Sequence, residues 1–203
     1  ARITYFTPRF AGFQLGASYA RDPRQDSNAQ VNQNIPGQIK DIFDIGANYV
    51  NSFGGFDVAV SGRWGMASRN GGDDPEIWGA GVNLGYAGFT IGGSFAEQNA
   101  TINDDGRSFD AGISYETGPW GFSFTYFDGE NVDDENDLLG ADEKLQQYLL
   151  GASSALATGV KLSAFGAYVD FDEDIGDGAG GGLNPGGDDV DGWIIGTGIK
   201  VNF

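Results

Sequence analysis

Residues 192–203, GWIIGTGIKVNF, alternate along their whole length. Trp193, Ile195, Thr197, Ile199, Val201 and Phe203 fall on one parity. Gly192, Gly196, Gly198, Lys200 and Asn202 fall on the other, with Ile194 alone out of place. A period of two marks a strand, because successive side chains point to opposite faces of a sheet. One face here is apolar and bracketed by aromatic rings, and the other is small or polar. A water-soluble sheet buries its apolar face against a second layer. The rest of the chain supplies no such layer and repeats the same strand.

Upstream, Val160, Leu162, Ala164, Gly166 and Tyr168 alternate in the same way, and a turn at 154–159 joins them to Tyr148, Leu150 and Ala152. Phe109, Ala111, Ile113 and Tyr115 turn at Thr117–Pro119 into Trp120, Phe122, Phe124 and Tyr126. Trp78 to Tyr86 turns at Ala87-Gly88 into Phe89, Ile91, Gly93 and Phe95. Phe43 to Tyr49 turns at Asn51–Gly55 into Phe56 to Trp64, and Arg2–Thr7 turns at Pro8–Gly12 into Phe13 to Tyr19. The pattern predicts eleven strands of about ten residues, with short turns and long loops alternating. Ten residues at about 3.3 Å each, tilted about 40°, cover roughly the 25 Å apolar band of an outer membrane. Tyr5, Tyr19, Tyr49, Trp64, Trp78, Tyr86, Tyr115, Trp120, Tyr126, Tyr148, Tyr168 and Trp193 sit near the ends of the apolar faces, where interfacial girdles belong. In lipid every backbone polar group must be paired internally, so such a sheet has to close. The fold class read from the chain is all-β, a transmembrane antiparallel barrel of up-and-down meander topology.

Composition excludes several alternatives. Glycine makes up 35 residues and aromatics 13%, a balance that suits a curved sheet and not a helical core. The net charge of −18 argues against a nucleic-acid partner. There is no His and no Cys, so Ser-His-Asp and Cys-His catalysis are impossible, and an enzyme is not expected. No run of about 18 apolar residues predicts a membrane helix. No cleavable leader is visible, so the chain reads as processed or partial. Except for Asp41, Asp44, Asp57, Asp110 and Glu116, the acidic residues lie in the long loops or at their edges, whereas the short turns carry one charge, Arg9. One end is acidic and long-looped, the other trimmed, as expected for a cell-surface and a periplasmic side.

Three stretches carry a family resemblance: RITYFTPRFAGFQLGASYA at 2–20, WGAGVNLGYAGFTIGGSF at 78–95 and GTGIKVNF at 196–203. In order and spacing they resemble the general porins of Gram-negative outer membranes, particularly the alphaproteobacterial type. The resemblance covers essentially the whole chain. It implies a bacterial outer-membrane channel for passive diffusion of small hydrophilic solutes and ions, usually a homotrimer amid lipid and lipopolysaccharide. Phe203 would be the terminal residue read by the assembly machinery. Those porins have sixteen strands. Residues 1–203 would then form a single barrel domain that is a C-terminal fragment, its first strand the sixth, lacking the N-terminal strands and the constriction loop. A smaller self-closing barrel is the alternative.

The polar parity lists Arg2, Asp44, Asp57, Arg63, Asp110, Lys161 and Lys200 as pore-lining candidates, with Phe6, Phe127 and Phe165 as the inward aromatics. A mid-strand Arg or Lys facing lipid costs about 2–4 kcal/mol, so these charges face water or one another. They set a field across the lumen, or they are simply solvated wall charges. The acidic loops predict a mild cation preference. Asp170, Asp172 and Asp174 have D-x-D-x-D spacing, but Ile175 and Gly181 stand where a calcium loop needs Gly and Glu, so no cofactor is expected beyond weak Ca2+ binding. Arg21 and Arg107 lie on the outward parity, placed for lipopolysaccharide phosphates or for snorkelling. A structural or adhesive barrel whose loops bind a partner is the rival function.

Overall fold

The computed structural model describes residues 2–22, 36–99, 105–132, 141–175 and 189–202. They form one antiparallel sheet of eleven strands in sequence order: β1 (Arg2–Phe6), β2 (Phe13–Ala20), β3 (Ile39–Phe53), β4 (Phe56–Arg69), β5 (Glu76–Tyr86), β6 (Phe89–Asn99), β7 (Asp105–Thr117), β8 (Trp120–Val132), β9 (Ala141–Ala157), β10 (Val160–Ile175) and β11 (Val190–Val201). Each strand pairs with the next, so the sheet is a meander whose two edges are β1 and β11.

The short connections are hairpin turns of the hand that a twisted sheet needs. Gly54 and Gly55 both have positive φ (58° and 90°), as do Ala87 and Gly88 (51° and 86°). Two consecutive positive φ values define the I′ turn, whose twist matches the flanking strands. At Ala87 an ordinary side chain takes this conformation, at a local cost of about 1–2 kcal/mol.

At the long-loop end the strands run further than the alternation indicates. β8 runs to Val132, β9 starts at Ala141 and β10 runs to Ile175, so both edges of the expected loop at 128–143 and the start of that at 170–191 are still paired sheet. Apolar alternation stops at the membrane rim because water wets both faces beyond it. The backbone ladder needs no apolar face and continues. One irregularity lies there as well: Asp41 takes φ 51° where the β3–β4 register slips between Lys40 and Phe43. This bulge is pinned by the Tyr19 hydroxyl, which donates to Asp41 Oδ1 at 2.7 Å.

No water-soluble core exists among the described residues. The buried apolar side chains are Ala20, Ala67 and Ala167, and no large side chain is fully buried. Ile3, Trp193 and Ile195 are 75%, 74% and 82% exposed. The register puts Leu162, Tyr168, Trp193, Ile195 and Ile199 on one face, and Lys161, Ser163, Gly196, Gly198 and Lys200 on the other. Two rows of paired rings bound the apolar face. Phe13–Tyr49, Phe56–Tyr86 and Phe89–Tyr115, with centroids 4.5, 4.2 and 4.2 Å apart, mark the short-turn side. Trp78–Phe95, Tyr126–Tyr148 and Tyr168–Trp193, at 5.2, 5.0 and 5.2 Å, mark the long-loop side. From Trp78 to Tyr86 the strand runs roughly 26 Å, about 20 Å of height at a tilt of about 40°. That matches a hydrocarbon layer bounded by interfacial aromatics.

Candidate functional site

The candidate functional surface is the polar face. Its parity is maintained from strand to strand: Ser18 opposes Asp44, Arg63 opposes Gly79, Ser94 opposes Asp110, Asp110 opposes Phe127, and Lys161 opposes Lys200. Arg2, Asp44, Asp57, Arg63, Asp110, Lys161 and Lys200 thus share one face, as their spacing predicts.

Three of them meet. Arg63 Nη2 donates to Asp44 Oδ1 at 2.9 Å, and Arg2 Nη1 reaches Asp44 Oδ2 at 3.4 Å. The Ser18 hydroxyl donates to the same Oδ2 at 3.3 Å. Asp44 is the enclosed member, 19% exposed, while Arg2 and Arg63 keep 53% and 58%. The cluster has net charge +1 and leaves two guanidinium groups exposed on the polar face. A pair this exposed contributes little to stability but fixes where the charges stand.

The other candidates stand apart. Asp57 accepts from the Ser52 hydroxyl at 2.5 Å, and Asp110 accepts from the Ser94 hydroxyl. Between them the wall is glycine, serine and threonine, forming a depression of about 500 Å³ lined by Ser61, Gly81, Asn83, Gly92, Ser94, Asp110 and Ser123 among others. Small side chains keep this part of the polar face low.

Arg9 belongs to this face too, although parity places it in a turn. Its Nη2 donates to Asn48 Oδ1 at 2.6 Å and to Gln14 Oε1 at 3.1 Å, and its Nη1 to the Gly12 carbonyl at 2.6 Å. A turn residue has no parity, so the sequence signal that finds strand charges cannot find this one.

The three inward aromatics do not stand out as a stacking ladder. Phe6 lies over Gly16 of β2, Phe165 over Gly196 of β11, and Phe127 over Gly129. Each ring fills space left by a missing Cβ and lies along the wall.

On the outward face, beyond the girdle, charges alternate across the strands. Glu97 opposes Arg107, Arg107 opposes Glu130, Glu130 opposes Lys144 and Lys144 opposes Asp172. Arg107 Nη2 pairs with Glu130 Oε1 at 2.7 Å, so its charge is engaged within the protein. Asp128 is held below the ordinary carboxylate range, first by Gln146, whose Nε2 donates to Oδ2 at 2.7 Å; burial opposes this, and the Tyr126 hydroxyl at 2.9 Å and nearby Lys144 reinforce it. Glu130 pushes the Arg107 guanidinium up.

Asp170 and Asp172 lie on strand β10, which corrects their placement in the 170–191 loop. Residues two apart on a strand are roughly 6.6 Å from each other, too extended to wrap one ion. The Asp174 side chain and Phe203 fall outside the described residues. Among the described residues no group of three or more acidic, His or Cys side chains is placed to hold a metal ion.

Residues 1–174 match the family described as Gram-negative porin. The chain belongs to the Gram-negative porin family. It is an integral β-barrel protein of the outer membrane, and family membership points to a channel and not an enzyme. No curated protein matches the sequence at a significant level. Among solved structures, the loop L8 deletion mutant of OmpT, an outer membrane protein of Vibrio cholerae, superposes with TM-score 0.63 at 13% identity, over 98% of this chain and 62% of that one. The anion-selective porin from Comamonas acidovorans gives 0.55 at 18% identity, over 98% and 57%. Pseudomonas aeruginosa OccK2 in complex with glucuronate gives 0.53 at 12%, over 98% and 70%. These likenesses show the fold, and this porin-family chain spans 62% of the OmpT mutant's length.

Proposed function

We propose that the protein is a water-filled pore for passive diffusion of small hydrophilic solutes and ions, with the polar face as its wall. The observation that carries this is the absence of a core among the described residues: an apolar face with two aromatic girdles backs a continuous face of glycine, serine and fixed ion pairs. Among the described residues neither face has a protein layer to bury it, so one meets lipid and the other water. The edges β1 and β11 carry unpaired backbone groups, which lipid does not tolerate. In this reading further strands of the same polypeptide join those edges and complete the barrel.

The net charge of −18, concentrated toward the long-loop end, raises cation concentration at that mouth and gives a mild cation preference. Trimeric assembly is part of the same proposal, supported by the resemblance to general porins. The whole protein reconstituted in a planar bilayer should show stepwise openings, with a reversal potential in a KCl gradient of cation-selective sign. A silent bilayer containing correctly folded protein would sink the pore and favour an adhesive barrel.

A further inference from the structure

Lys161 and Lys200 oppose each other directly across β10 and β11, at the short-turn end of the polar face. Directly opposed side chains have Cβ atoms about 5 Å apart, and like charges in that position repel. Elsewhere on this face the arginines have partners: Arg2 and Arg63 hold Asp44, and Arg9 holds Gln14 and Asn48. Both lysines are exposed, and among the described residues neither makes an ion pair or a side-chain hydrogen bond. Of the described carboxylates at the same end of this face, Glu116 lies three strands away on β7, and Asp57 is farther off on β4. The nearer is roughly 14 Å away across the sheet. Salt screens exposed charges beyond about 10 Å at 0.1 M.

The wall beside the lysines is low. Going inward, the next pairs are Ser163 with Gly198 and Phe165 with Gly196. The Ser163 hydroxyl is already bonded to the Gly198 carbonyl at 3.2 Å, and the Phe165 ring lies over Gly196. Along this strip of the face two ammonium groups stand at one end and a phenyl ring at the other, with only Ser163 and glycine between them.

We infer that Lys161 and Lys200 form a station that binds a small oxyanion, carboxylate or phosphate, at the short-turn mouth of the pore. Two ammonium groups at this spacing can each take one oxygen of a single such group. The ligand relieves a repulsion that no group of the described wall relieves. The station is distinct from the Asp44 cluster and opposite in sign to the acidic long-loop end. It rests on the pore reading above.

The test uses the whole protein in planar bilayers with KCl, adding inorganic phosphate or succinate to each side in turn. Either anion should reduce the wild-type current, more strongly from one side. In K161Q/K200Q the apparent affinity for the blocking anion should fall roughly fivefold or more, from the loss of two charges near contact distance. K161R/K200R, which keeps both charges, should retain block and checks that the sites tolerate substitution. The stronger of the two blockers names the group recognised. Wild-type current insensitive to both anions, or block unchanged in K161Q/K200Q, overturns the station. If wild-type protein opens no channels, the pore reading fails instead, and the two failures are distinguishable.

Discussion

Asp44 and Gly65 are register partners on β3 and β4, and the Asp44 carboxylate occupies the space where a Cβ on Gly65 would stand, 2.5 Å from Oδ1. The glycine is what lets the carboxylate lie against the wall between Arg2 and Arg63. Gly65→Ala should therefore displace Asp44 and loosen both ion pairs while leaving all charges in place. Asp44→Asn removes the charge itself. In reversal-potential measurements D44N should shift selectivity toward chloride, and G65A should shift it by a smaller amount in the same direction. A change in G65A equal to that of D44N would mean that the carboxylate acts by position alone. No shift in either would remove the cluster from the conducting path.

Phe165 and Gly196 show the same device with a ring. A methyl group on Gly196 would overlap the Phe165 ring, which sits directly across from it. Gly196→Ala should turn the ring off the wall, at a cost of about 1–3 kcal/mol for an overpacked contact. Single-channel conductance should drop in G196A and recover in G196A/F165A. Conductance unchanged in G196A would place the ring away from the current.

Much of this was legible from parity. Alternation over Trp193 to Phe203 and its repeats gave the strand order, the hairpins and the seven charged residues of the polar face, because a strand's faces are set by a strict period of two. Three things carried no such signal. Arg9 lies in a turn, where parity is undefined. The extensions of β9 and β10 lie beyond the membrane rim, where pairing persists without an apolar face. The bulge at Asp41 inserts residues without any turn-forming glycine to announce it. The pairing of Arg2 and Arg63 on one carboxylate also escaped, since it depends on the stagger between strands. Parity fixes a face but not a height.

The apolar face makes its own prediction. Ile195 is 82% exposed midway along β11, on the face that carries Trp193 and Ile199. Ile195→Lys should cost about 2–4 kcal/mol in folding into lipid, as for a basic residue near the bilayer midplane. Ser163→Lys, on the opposite face of the neighbouring strand, should cost much less. Urea titrations of the two variants folded into the same vesicles check this. Equal costs would mean that the face of Ile195 does not meet hydrocarbon.

The outer extension of β8 and β9 should be the first part of the sheet to open in acid. Asp128 has its pKa lowered from the usual 3.8, chiefly by the hydrogen bond from Gln146. A carboxyl group with a depressed folded pKa contributes stability that is fully present above the unfolded value and is lost as pH falls through the folded one. The window therefore lies below about pH 4, and between pH 5 and 8 this group contributes no pH dependence. Hydrogen exchange of β8 and β9 amides near Asp128 and Gln146 should speed up as pH drops below that value, after correction for the intrinsic rate. Asp128→Asn should remove most of the effect, because the amide cannot titrate, while amides between the two girdles stay protected throughout. Acceleration spread evenly over the strands would instead point to global loosening and away from the Asp128 contact.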